Sequence, residues 1–360
     1  MNTPRILITS PSLNVKENVS GISSLVSDII LASKCEFIHL KLGSRDNQKK
    51  NLSWALGQFF NYTRAISISI RSRFRILHLN LGLETFSIVR DFFVFLIVKN
   101  LFRKKVLLHI HGGFYLMNPP GSKVLSYFLR VLFQRADCIV VLSEKEKKIL
   151  GDRYGRSDIS VMPNAVNLSF LESRQVKPIA LPLKLIFMGR ISKSKGIYVI
   201  AESFRYLEDH FDKFSLEIYG AGPELESWLK QLSGYKGLNF FYKGIASGKL
   251  KWDALQNADV FLLPSIHSEG MPIALIEAMA AGCTSIVTDD ASITSIVTAN
   301  ENGIVIKKND PYQVAQKLRE IIEGRLDNRV IGKRASDYIH QHLSISTYAH
   351  RLDQLYSEMN

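Results

Sequence analysis

The chain has 360 residues, enough for two domains that each bury a core, and its 46% hydrophobic, 22% charged and 10% aromatic residues exclude a long disordered, collagen-like or coiled-coil protein. Its formal net charge is +13, and the excess lies in residues 1–180, which carry 26 basic and 12 acidic side chains against 20 and 21 in residues 181–360. Such one-sided positive charge predicts contact with an anion, and the composition leaves open whether this is a nucleic acid, an acidic membrane or a phosphorylated substrate.

Short apolar runs alternate with longer amphipathic stretches along the first half of the chain. The apolar runs predict strands near 5–10, 36–41, 74–79, 106–111, 138–142 and 159–162. The amphipathic stretches predict helices near 21–33, 51–70, 85–103, 121–136 and 143–154. A segment of little periodicity, 166–182, follows and contains Pro178 and Pro182, which predicts a linker.

The same alternation resumes after the linker. Strands are predicted near 183–188, 214–219, 238–242, 259–263, 284–288 and 303–306. Helices are predicted near 195–208, 223–234, 248–256, 272–281 and 310–323, followed by two more near 327–341 and 345–358.

Most of the predicted strands are continuous apolar runs, which indicates burial on both faces and hence parallel sheets covered by helices. The sequence therefore predicts an α/β protein of two doubly wound, Rossmann-like domains, 1–165 and 183–343, with a C-terminal helix in 344–360 that packs back on the first domain. Ligands of such sheets bind outside the carboxyl ends of the strands, so a site is expected in a cleft between the domains.

Two carboxylates, Glu269 and Glu277, flank the start of the helix predicted over 272–281. Pro272 is expected as the first residue of that helix and Gly282 as its C-terminal stop. Glu277 is the only charged residue of the helix, and a carboxylate on a helix that is apolar all round needs a partner. A ligand hydroxyl and a neighbouring loop are the two partners that the sequence leaves open.

Glu269 precedes the same helix, beside the N–H groups of its first turn. Those amides and the positive end of the helix dipole suit a diphosphate or sugar hydroxyls. Because a carboxylate repels phosphate, Glu269 is predicted to accept hydrogen bonds from a neutral polyol. The alternative is an ordinary charge at a helix N-terminus.

The loop after the strand near 183–188 carries a glycine and two cations. Gly189 allows the backbone to turn, and Arg190 and Lys195 place positive charge at a strand end, where an anionic ligand is expected. Loops of this kind also occur without a ligand. The sequence has no Walker pattern and no G-x-G-x-x-G after its first strand, which argues against P-loop ATP hydrolysis and NAD chemistry.

In the first domain, the strand near 106–111 ends in the run HIHGG at 109–113. His111 is expected to orient a substrate hydroxyl or phosphate, and His109, on the same face of the strand, to pack behind it. Ser20 and Gly21 give a second helix start lined by amides.

The three cysteines, Cys35, Cys138 and Cys283, are widely spaced and include no C-x-x-C pair, which predicts neither a disulfide framework nor a zinc site. The apolar run at 6–8 is too short for a signal peptide, and the charge-free stretch 106–122 is interrupted by glycines and prolines. These features predict a cytoplasmic protein without a transmembrane helix.

Taken together, these residues resemble the retaining glycosyltransferases of family 4, which have the two-domain GT-B fold. The resemblance covers nearly the whole chain, and its specific part is the E-x7-E pattern of Glu269 and Glu277 in a Gly-Met-Pro-Ile-Ala-Leu context. Four further motifs carry it: Gly189-Arg190 with Lys195-Gly196, Gly220-Ala-Gly222-Pro223, Val161-Met-Pro163-Asn164-Ala-Val-Asn167, and His111-Gly112-Gly113. This sequence departs from the family at Ser20-Gly21, where the family has a glycine pair, and at Ala165, where a glycine is usual.

The resemblance implies that Arg190 and Lys195 bind the diphosphate of a nucleotide-sugar, that Glu277 binds its ribose and that Glu269 binds the donor sugar. The residues assigned to catalysis are Glu269, His111, Arg190 and Lys195. The residues assigned to donor binding are Gly21, Arg190, Lys195, Glu269, Gly270, Met271, Ile273 and Glu277.

No Asp-x-Asp pair is present, and the adjacent Asp289 and Asp290 point to opposite sides of an extended segment, so neither a metal nor another cofactor is predicted. The resemblance implies a hexosyltransferase that uses a nucleotide-sugar, with UDP-sugars as the default and GDP and ADP donors open. No carboxylate nucleophile is evident on the first-domain side, which favours front-face attack. The implied acceptor is a saccharide or a polyprenyl-diphosphate-linked saccharide, in cell-surface polysaccharide synthesis of the O-antigen or lipopolysaccharide type.

Two other functions are weighed against transfer: a nucleotide-sugar epimerase of the same fold, and a nucleic-acid-binding protein. The sequence shows no nucleic-acid recognition module, so nucleic acid is not predicted as a partner. Basic residues are densest in 64–75 and 99–105, beside the apolar run 92–98. This pattern predicts either peripheral contact with an anionic inner membrane face or a buried helix with a basic end.

Overall fold

The computed structural model describes residues 4–14, 17–18, 20–43, 52–171, 181–267, 270–290 and 292–360. The chain forms two compact units: unit 1 comprises Met1–Ala165 with Ile345–Asn360, and unit 2 comprises Val166–Ser344. Each unit contains a six-stranded parallel sheet, so the predicted α/β fold class is confirmed. Glu269 lies outside the described residues.

The sheet of unit 1 has the order β2-β1-β3-β4-β5-β6. Its strands are β1 Arg5–Ser10, β2 Glu36–Lys41, β3 Ile76–Leu81, β4 Lys105–Ile110, β5 Cys138–Val141 and β6 Ile159–Val161. From β1 the chain continues to β2 on one side of the sheet, and then to β3 and β4 on the other side. Ligands of such sheets bind at the carboxyl ends of the strands around this reversal, so the ends of β1, β3 and β4 form the expected ligand edge of unit 1.

The helices of unit 1 that precede the linker are α1 Gly21–Ala32, α2 Leu52–Arg71, α3 Thr85–Leu96, α4 Phe114–Met117, α5 Lys123–Arg135 and α6 Glu144–Tyr154. Ser20 caps α1 by accepting a hydrogen bond from the Ser23 amide at 3.2 Å. The single helix predicted over 85–103 is not observed, because α3 passes into a π-helical turn at Ile97–Leu101 that buries Val98. The short helix α4 was not predicted.

The sheet of unit 2 has the order β12-β11-β10-β7-β8-β9. Its strands are β7 Leu183–Met188, β8 Phe214–Tyr219, β9 Asn239–Gly244, β10 Val260–Leu263, β11 Thr284–Thr288 and β12 Ile304–Ile306. Chain order reverses between β7 and β10, which places the loops after these two strands side by side.

The helices of unit 2 are α7 Ile197–Ser203, α8 Leu225–Ser233, α9 Gly248–Asn257, α10 Ile273–Ala280, α11 Pro311–Ile322 and α12 Asn328–His342. The helix predicted over 195–208 is wrong at its start, because Gly196 has a φ of 73° and separates a 3₁₀ turn at Lys193–Lys195 from α7. Pro272 is the N-cap of α10 and not its first helical residue, with an extended ψ of 120°. Gly282 follows α10 with a φ of 80°, in agreement with its predicted role as a stop.

The last helix, α13 Ile345–Met359, belongs to unit 1 and packs against α1. Leu352 and Tyr356 are fully buried on its inner face. Asp353 accepts hydrogen bonds from the Ser33 hydroxyl at 2.5 Å and from the Lys34 amide at 3.0 Å, which fixes the end of α1 to this helix.

Candidate functional site

In unit 2, the loops after β7 and β10 are joined through their backbones. The Ile266 amide donates to the Ser194 carbonyl at 2.9 Å. A Cβ atom added at Gly196 would lie 1.9 Å from the Pro264 carbonyl oxygen, so no other residue fits this position without displacing the loop. The two loops that carry Arg190, Lys195 and the start of α10 therefore form one edge of the sheet.

The loop after β8 extends the same edge. Gly189 donates through its amide to the Tyr219 carbonyl at 3.0 Å, and Ile191 donates to the Ala221 carbonyl at 3.0 Å. These bonds hold the Gly189-Arg190 motif against the Gly220-Ala-Gly222 motif. Sequence motifs that are about 30 residues apart thus occupy neighbouring loops at the carboxyl ends of β7 and β8.

The cations of this edge differ in exposure. Arg190 is exposed and Lys195 is partly exposed. At the start of α10, Gly270 is partly exposed, whereas Met271 and Ile273 are buried. The N–H groups of a first helical turn have no partner within the helix, which gives this end of α10 hydrogen-bond donors.

Glu277 is buried in α10 and forms an ion pair with Lys251 of α9. Its partner within the protein is therefore a lysine of a neighbouring helix and not a loop, and its contact with a ligand hydroxyl stays a prediction. Burial raises the pKa of Glu277, and the Lys251 ammonium opposes that rise. Glu277 Oε1 contacts Lys251, so the lysine favours the ionised carboxylate and fixes its orientation.

Lys251 is the functional candidate that sequence reasoning missed. Its ammonium lies 5.7 Å from the ring centroid of the buried Trp252, which places the lysine stem on an apolar surface. The signal in the sequence was indirect: the lone carboxylate of one helix required a cation, and the predicted helix 248–256 offered Lys249 and Lys251. Lys249 instead pairs with Asp253 at the surface.

In unit 1, His111 follows β4 and is partly exposed. Its Nε2 lies 2.7 Å from Oδ1 of Asn80, whose Nδ2 donates to the Thr9 carbonyl at 2.7 Å. Because the amide orientation of Asn80 is fixed by that second bond, Oδ1 accepts and His111 carries its proton on Nε2. Burial lowers the pKa of His111 to about 3, so the imidazole is neutral near pH 7 and Nδ1 is its hydrogen-bond acceptor.

The glycines after His111 fix its loop to the end of β3. The Leu83 amide donates to the Gly112 carbonyl at 2.8 Å. Gly113 has a φ of 118°, and a Cβ atom there would lie 2.7 Å from the Leu83 nitrogen. Gly21 is exposed at the start of α1, which follows β1, so Gly21 and His111 both lie at the carboxyl edge of this sheet.

Within the described part of the chain, no group of three or more His, Cys, Asp and Glu residues is placed to hold a metal ion. Asp290 is buried and its carboxylate lies 2.8 Å from the Lys308 ammonium, whereas Asp289 is exposed. No helix among the same residues is both long enough and apolar enough to span a bilayer.

Two family models match the chain. The model described as "Glycosyl transferases group 1" matches residues 169–338, and the model described as "Glycosyltransferase Family 4" matches residues 49–170. Between them they account for residues 49–338, which includes the motifs of both sheet edges apart from Gly21.

The curated relatives that match the chain include glycosyltransferases and an exopolysaccharide phosphotransferase of Streptomyces coelicolor. An uncharacterized glycosyltransferase of Methanocaldococcus jannaschii is 24% identical over 264 residues, which cover 69% of this chain and 67% of the relative. The putative colanic acid biosynthesis glycosyltransferase WcaL of Escherichia coli is 30% identical over 237 residues, 60% of this chain and 55% of the relative. The chain thus spans about half to two thirds of the length of these relatives.

Solved structures share the fold over nearly the full chain. Anabaena HepE in complex with UDP and glucose has a TM-score of 0.77 at 14% identity, covering 99% of this chain and 100% of that one. Sucrose-phosphate synthase from Thermosynechococcus elongatus has a TM-score of 0.76 at 16% identity, with 99% of both chains covered. At these identities the likeness establishes the GT-B fold alone.

Proposed function

Since the chain belongs to the glycosyltransferases described by the group 1 and family 4 models, we propose that it transfers a sugar from a nucleotide-sugar to a hydroxyl group in the synthesis of a cell-surface polysaccharide. The observation that carries the proposal is the charged edge of unit 2, which holds Arg190 and Lys195 after β7 and the Lys251–Glu277 ion pair on the helices that follow β9 and β10. This edge offers cations for a diphosphate and a lysine-paired carboxyl group for ribose hydroxyls.

The donor is a nucleoside diphosphate sugar, with UDP as the favoured nucleotide. In support, HepE, which has the same fold, has been solved with UDP-glucose. Arg190 and Lys195 contact the diphosphate and Glu277 accepts hydrogen bonds from the ribose. Glu269 and the amides of Gly270, Met271 and Ile273 bind the transferred sugar.

Transfer retains the anomeric configuration and requires no metal. The bond between the anomeric carbon and the diphosphate oxygen breaks, the acceptor oxygen attacks from the same face, and the departing diphosphate takes the acceptor proton. The Arg190 and Lys195 cations stabilise the charge that develops on the leaving group, an effect worth about 3–4 kcal/mol per donor in other enzymes. Asp290 is engaged by Lys308, so the Asp289-Asp290 pair offers no carboxylate clamp for a metal-bound diphosphate.

His111 is a hydroxyl-orienting residue. A neutral imidazole whose Nε2 donates to Asn80 has Nδ1 available as an acceptor, which suits a hydroxyl of the acceptor or of the donor sugar. A pKa of about 3 makes His111 too weak a base to hold the acceptor proton near pH 7, so the proton goes to the phosphate.

The acceptor is a saccharide carried on a lipid diphosphate, and the enzyme meets it at the inner face of the cytoplasmic membrane. Support comes from the turn after α3, where Leu101 is 66% exposed beside the exposed Arg103 and Lys105. Cations near an anionic bilayer contribute about 1 kcal/mol each. Glutamine at Arg103, Lys104 and Lys105 should lower binding to phosphatidylglycerol vesicles about 100-fold, whereas glutamine at Lys145, Lys147 and Lys148 of α6 should not. Equal loss in both triple variants would contradict the membrane assignment.

Thermal stabilisation by nucleotide-sugars tests the donor site. A ligand at about 100 times its Kd adds about 2.7 kcal/mol to the free energy of unfolding, so UDP-, GDP- and ADP-sugars can be ranked by their effect on Tm. The shift should disappear in Glu277→Gln. If no nucleotide-sugar stabilises the wild-type chain, or if Glu277→Gln responds as the wild type does, the site assignment is wrong.

A further inference from the structure

A row of buried polar rings joins the C-terminal helix to His111 in unit 1. The Tyr356 hydroxyl lies 2.5 Å from His78 Nδ1, and His78 Nε2 lies 3.1 Å from His109 Nδ1. The rings of His109 and His111 pack with their centroids 4.1 Å apart and their planes inclined by 39°. Tyr356, His78 and His109 are each 0% exposed, so the row runs through the core of the unit and reaches the surface only at His111.

The hydrogen bonds favour one direction of donation along this row. If Tyr356 donates to His78 Nδ1, then His78 donates from Nε2 to His109 Nδ1, and one group among the described residues, the His109 Nε2–H, has no partner. The reverse direction leaves two groups unmatched in that part of the chain, the Tyr356 O–H and the lone pair on His109 Nε2. Because an unsatisfied buried polar group is costly, the first direction is favoured.

The rings of this row are neutral, which makes their tautomers sensitive to a single bond. Burial lowers the pKa of His78 to about 3 and the pKa of His109 well below its ordinary value. A neutral imidazole has one donor and one acceptor nitrogen, so a hydrogen bond at one nitrogen sets the role of the other. The Tyr356 hydroxyl therefore sets the tautomer of His78, and His78 sets that of His109.

We propose that Tyr356, acting through His78 and His109, is a positioning residue for His111. Asn80 fixes the edge of the His111 ring through Nε2, and the His109 ring fixes its face. The last helix of the chain thereby completes the site at the carboxyl end of β4. This inference rests on the proposed function at one point: the proposed function supplies the substrate hydroxyl that His111 orients.

Tyr348 supplies a matched control on the same helix. It is buried like Tyr356, but its hydroxyl has no hydrogen-bond partner among the described residues. Tyr348→Phe therefore removes an unpaired hydroxyl, and Tyr356→Phe removes the one that begins the row. Both substitutions keep the ring that packs in the core.

Nitrogen NMR of the imidazole rings tests the row without reference to activity. The full chain is labelled with ¹⁵N at its nine histidines, and His78, His109 and His111 are assigned from single asparagine variants at pH 7.5. The wild type should show His78, His109 and His111 as single Nε2–H tautomers. Tyr356→Phe should mix the tautomers of His78 and His109 and shift the His111 resonances, whereas Tyr348→Phe should leave all three unchanged. Wild-type spectra from Tyr356→Phe would overturn the proposal.

Turnover separates a positioning role from a structural one. With a donor that the wild type uses, Tyr356→Phe should lower kcat about tenfold at an unchanged Kd for the nucleoside diphosphate, and Tyr348→Phe should keep the wild-type kcat. Mixed tautomers with a wild-type kcat would overturn the positioning role. A wild-type chain that turns over no nucleotide-sugar would instead contradict the proposed function. The NMR result alone would then test whether Tyr356 sets the histidine tautomers.

Discussion

The polar groups at the carboxyl edges of the two sheets differ in charge. In unit 1, His111, Asn80 and Thr9 form a neutral hydrogen-bonded set in which burial holds the pKa of His111 at about 3. In unit 2, the helices after β9 and β10 carry the Lys251–Glu277 ion pair, and the loop after β7 carries exposed cations. The same doubly wound architecture thus presents one uncharged edge and one charged edge, which suit a neutral hydroxyl and a diphosphate respectively.

The net charges of the two halves of the chain differ in the opposite direction from the charges of their sheet edges. The positive excess lies in residues 1–180, which contain the neutral edge, and residues 181–360 are close to neutral although they contain the charged edge. The net charge of each half of the chain therefore reflects the residues of its outer surface. The charge at a binding edge depends instead on burial and on specific ion pairs. The anion that a domain binds has to be located residue by residue.

The largest effect should follow from breaking the ion pair of unit 2. Lys251→Met leaves the buried Glu277 carboxylate unpaired and should lower the free energy of unfolding by about 3–5 kcal/mol, measured by urea unfolding followed by circular dichroism. Lys249→Met on the same helix removes an exposed pair with Asp253 and should cost less than about 1 kcal/mol. Glu277→Gln combined with Lys251→Met should recover most of the loss. Equal stability of the two single variants would show that the buried pair has no special role.

A smaller effect, confined to catalysis, should follow from removing one cation of the charged edge. Arg190→Ala should lower kcat about 100-fold, or about 2.7 kcal/mol, because one donor to the leaving group is lost. Lys193→Ala, which removes an exposed cation from the same loop, should keep kcat within about twofold. Steady-state assays of nucleoside diphosphate release make the comparison. A similar loss in both variants would mean that the loop acts only through its general positive field.

Mild acid should lower the stability of unit 1 more than that of unit 2. His78 has a folded-state pKa of about 3 and His109 a strongly lowered one, so below about pH 6.5 the unfolded chain binds protons that the fold excludes. His78 then lowers the stability of unit 1 by about 1.4 kcal/mol per pH unit as the pH falls from 6.5 towards 3, and His109 acts in the same direction. The pKa of Glu277 is raised instead, so protonation of this group as the pH falls favours folded unit 2.

Tryptophan fluorescence can separate the two units in this experiment. In a Trp54→Phe variant the remaining tryptophans, Trp228 and Trp252, both lie in unit 2, and circular dichroism reports both units. Between pH 7.5 and pH 5.0 the first transition seen by circular dichroism should move to lower temperature, while the fluorescence transition moves less. Parallel shifts of the two signals would contradict a neutral, acid-sensitive edge confined to unit 1.

The sequence was sufficient to predict the strands that the structure describes, because most of them are short apolar runs bounded by turn residues. These runs place the motifs at the strand ends. It failed at 195–208, since the positive φ of Gly196 depends on its contact with Pro264, which is remote in sequence. Lys251 and Tyr356 were missed for the same reason. Their partners, Glu277 and His78, lie 26 and 278 residues away, and periodicity contains no information on such contacts.

The anomeric configuration of the product distinguishes retaining sugar transfer from inverting transfer and from epimerisation. The chain is incubated with the nucleotide-sugar that stabilises it most and with a polyprenyl-diphosphate-linked saccharide, and the product is analysed by NMR. Retaining transfer predicts one equivalent of nucleoside diphosphate per glycoside, with the donor's anomeric configuration retained. An isomerised nucleotide-sugar without glycoside, or a glycoside of inverted configuration, would contradict it.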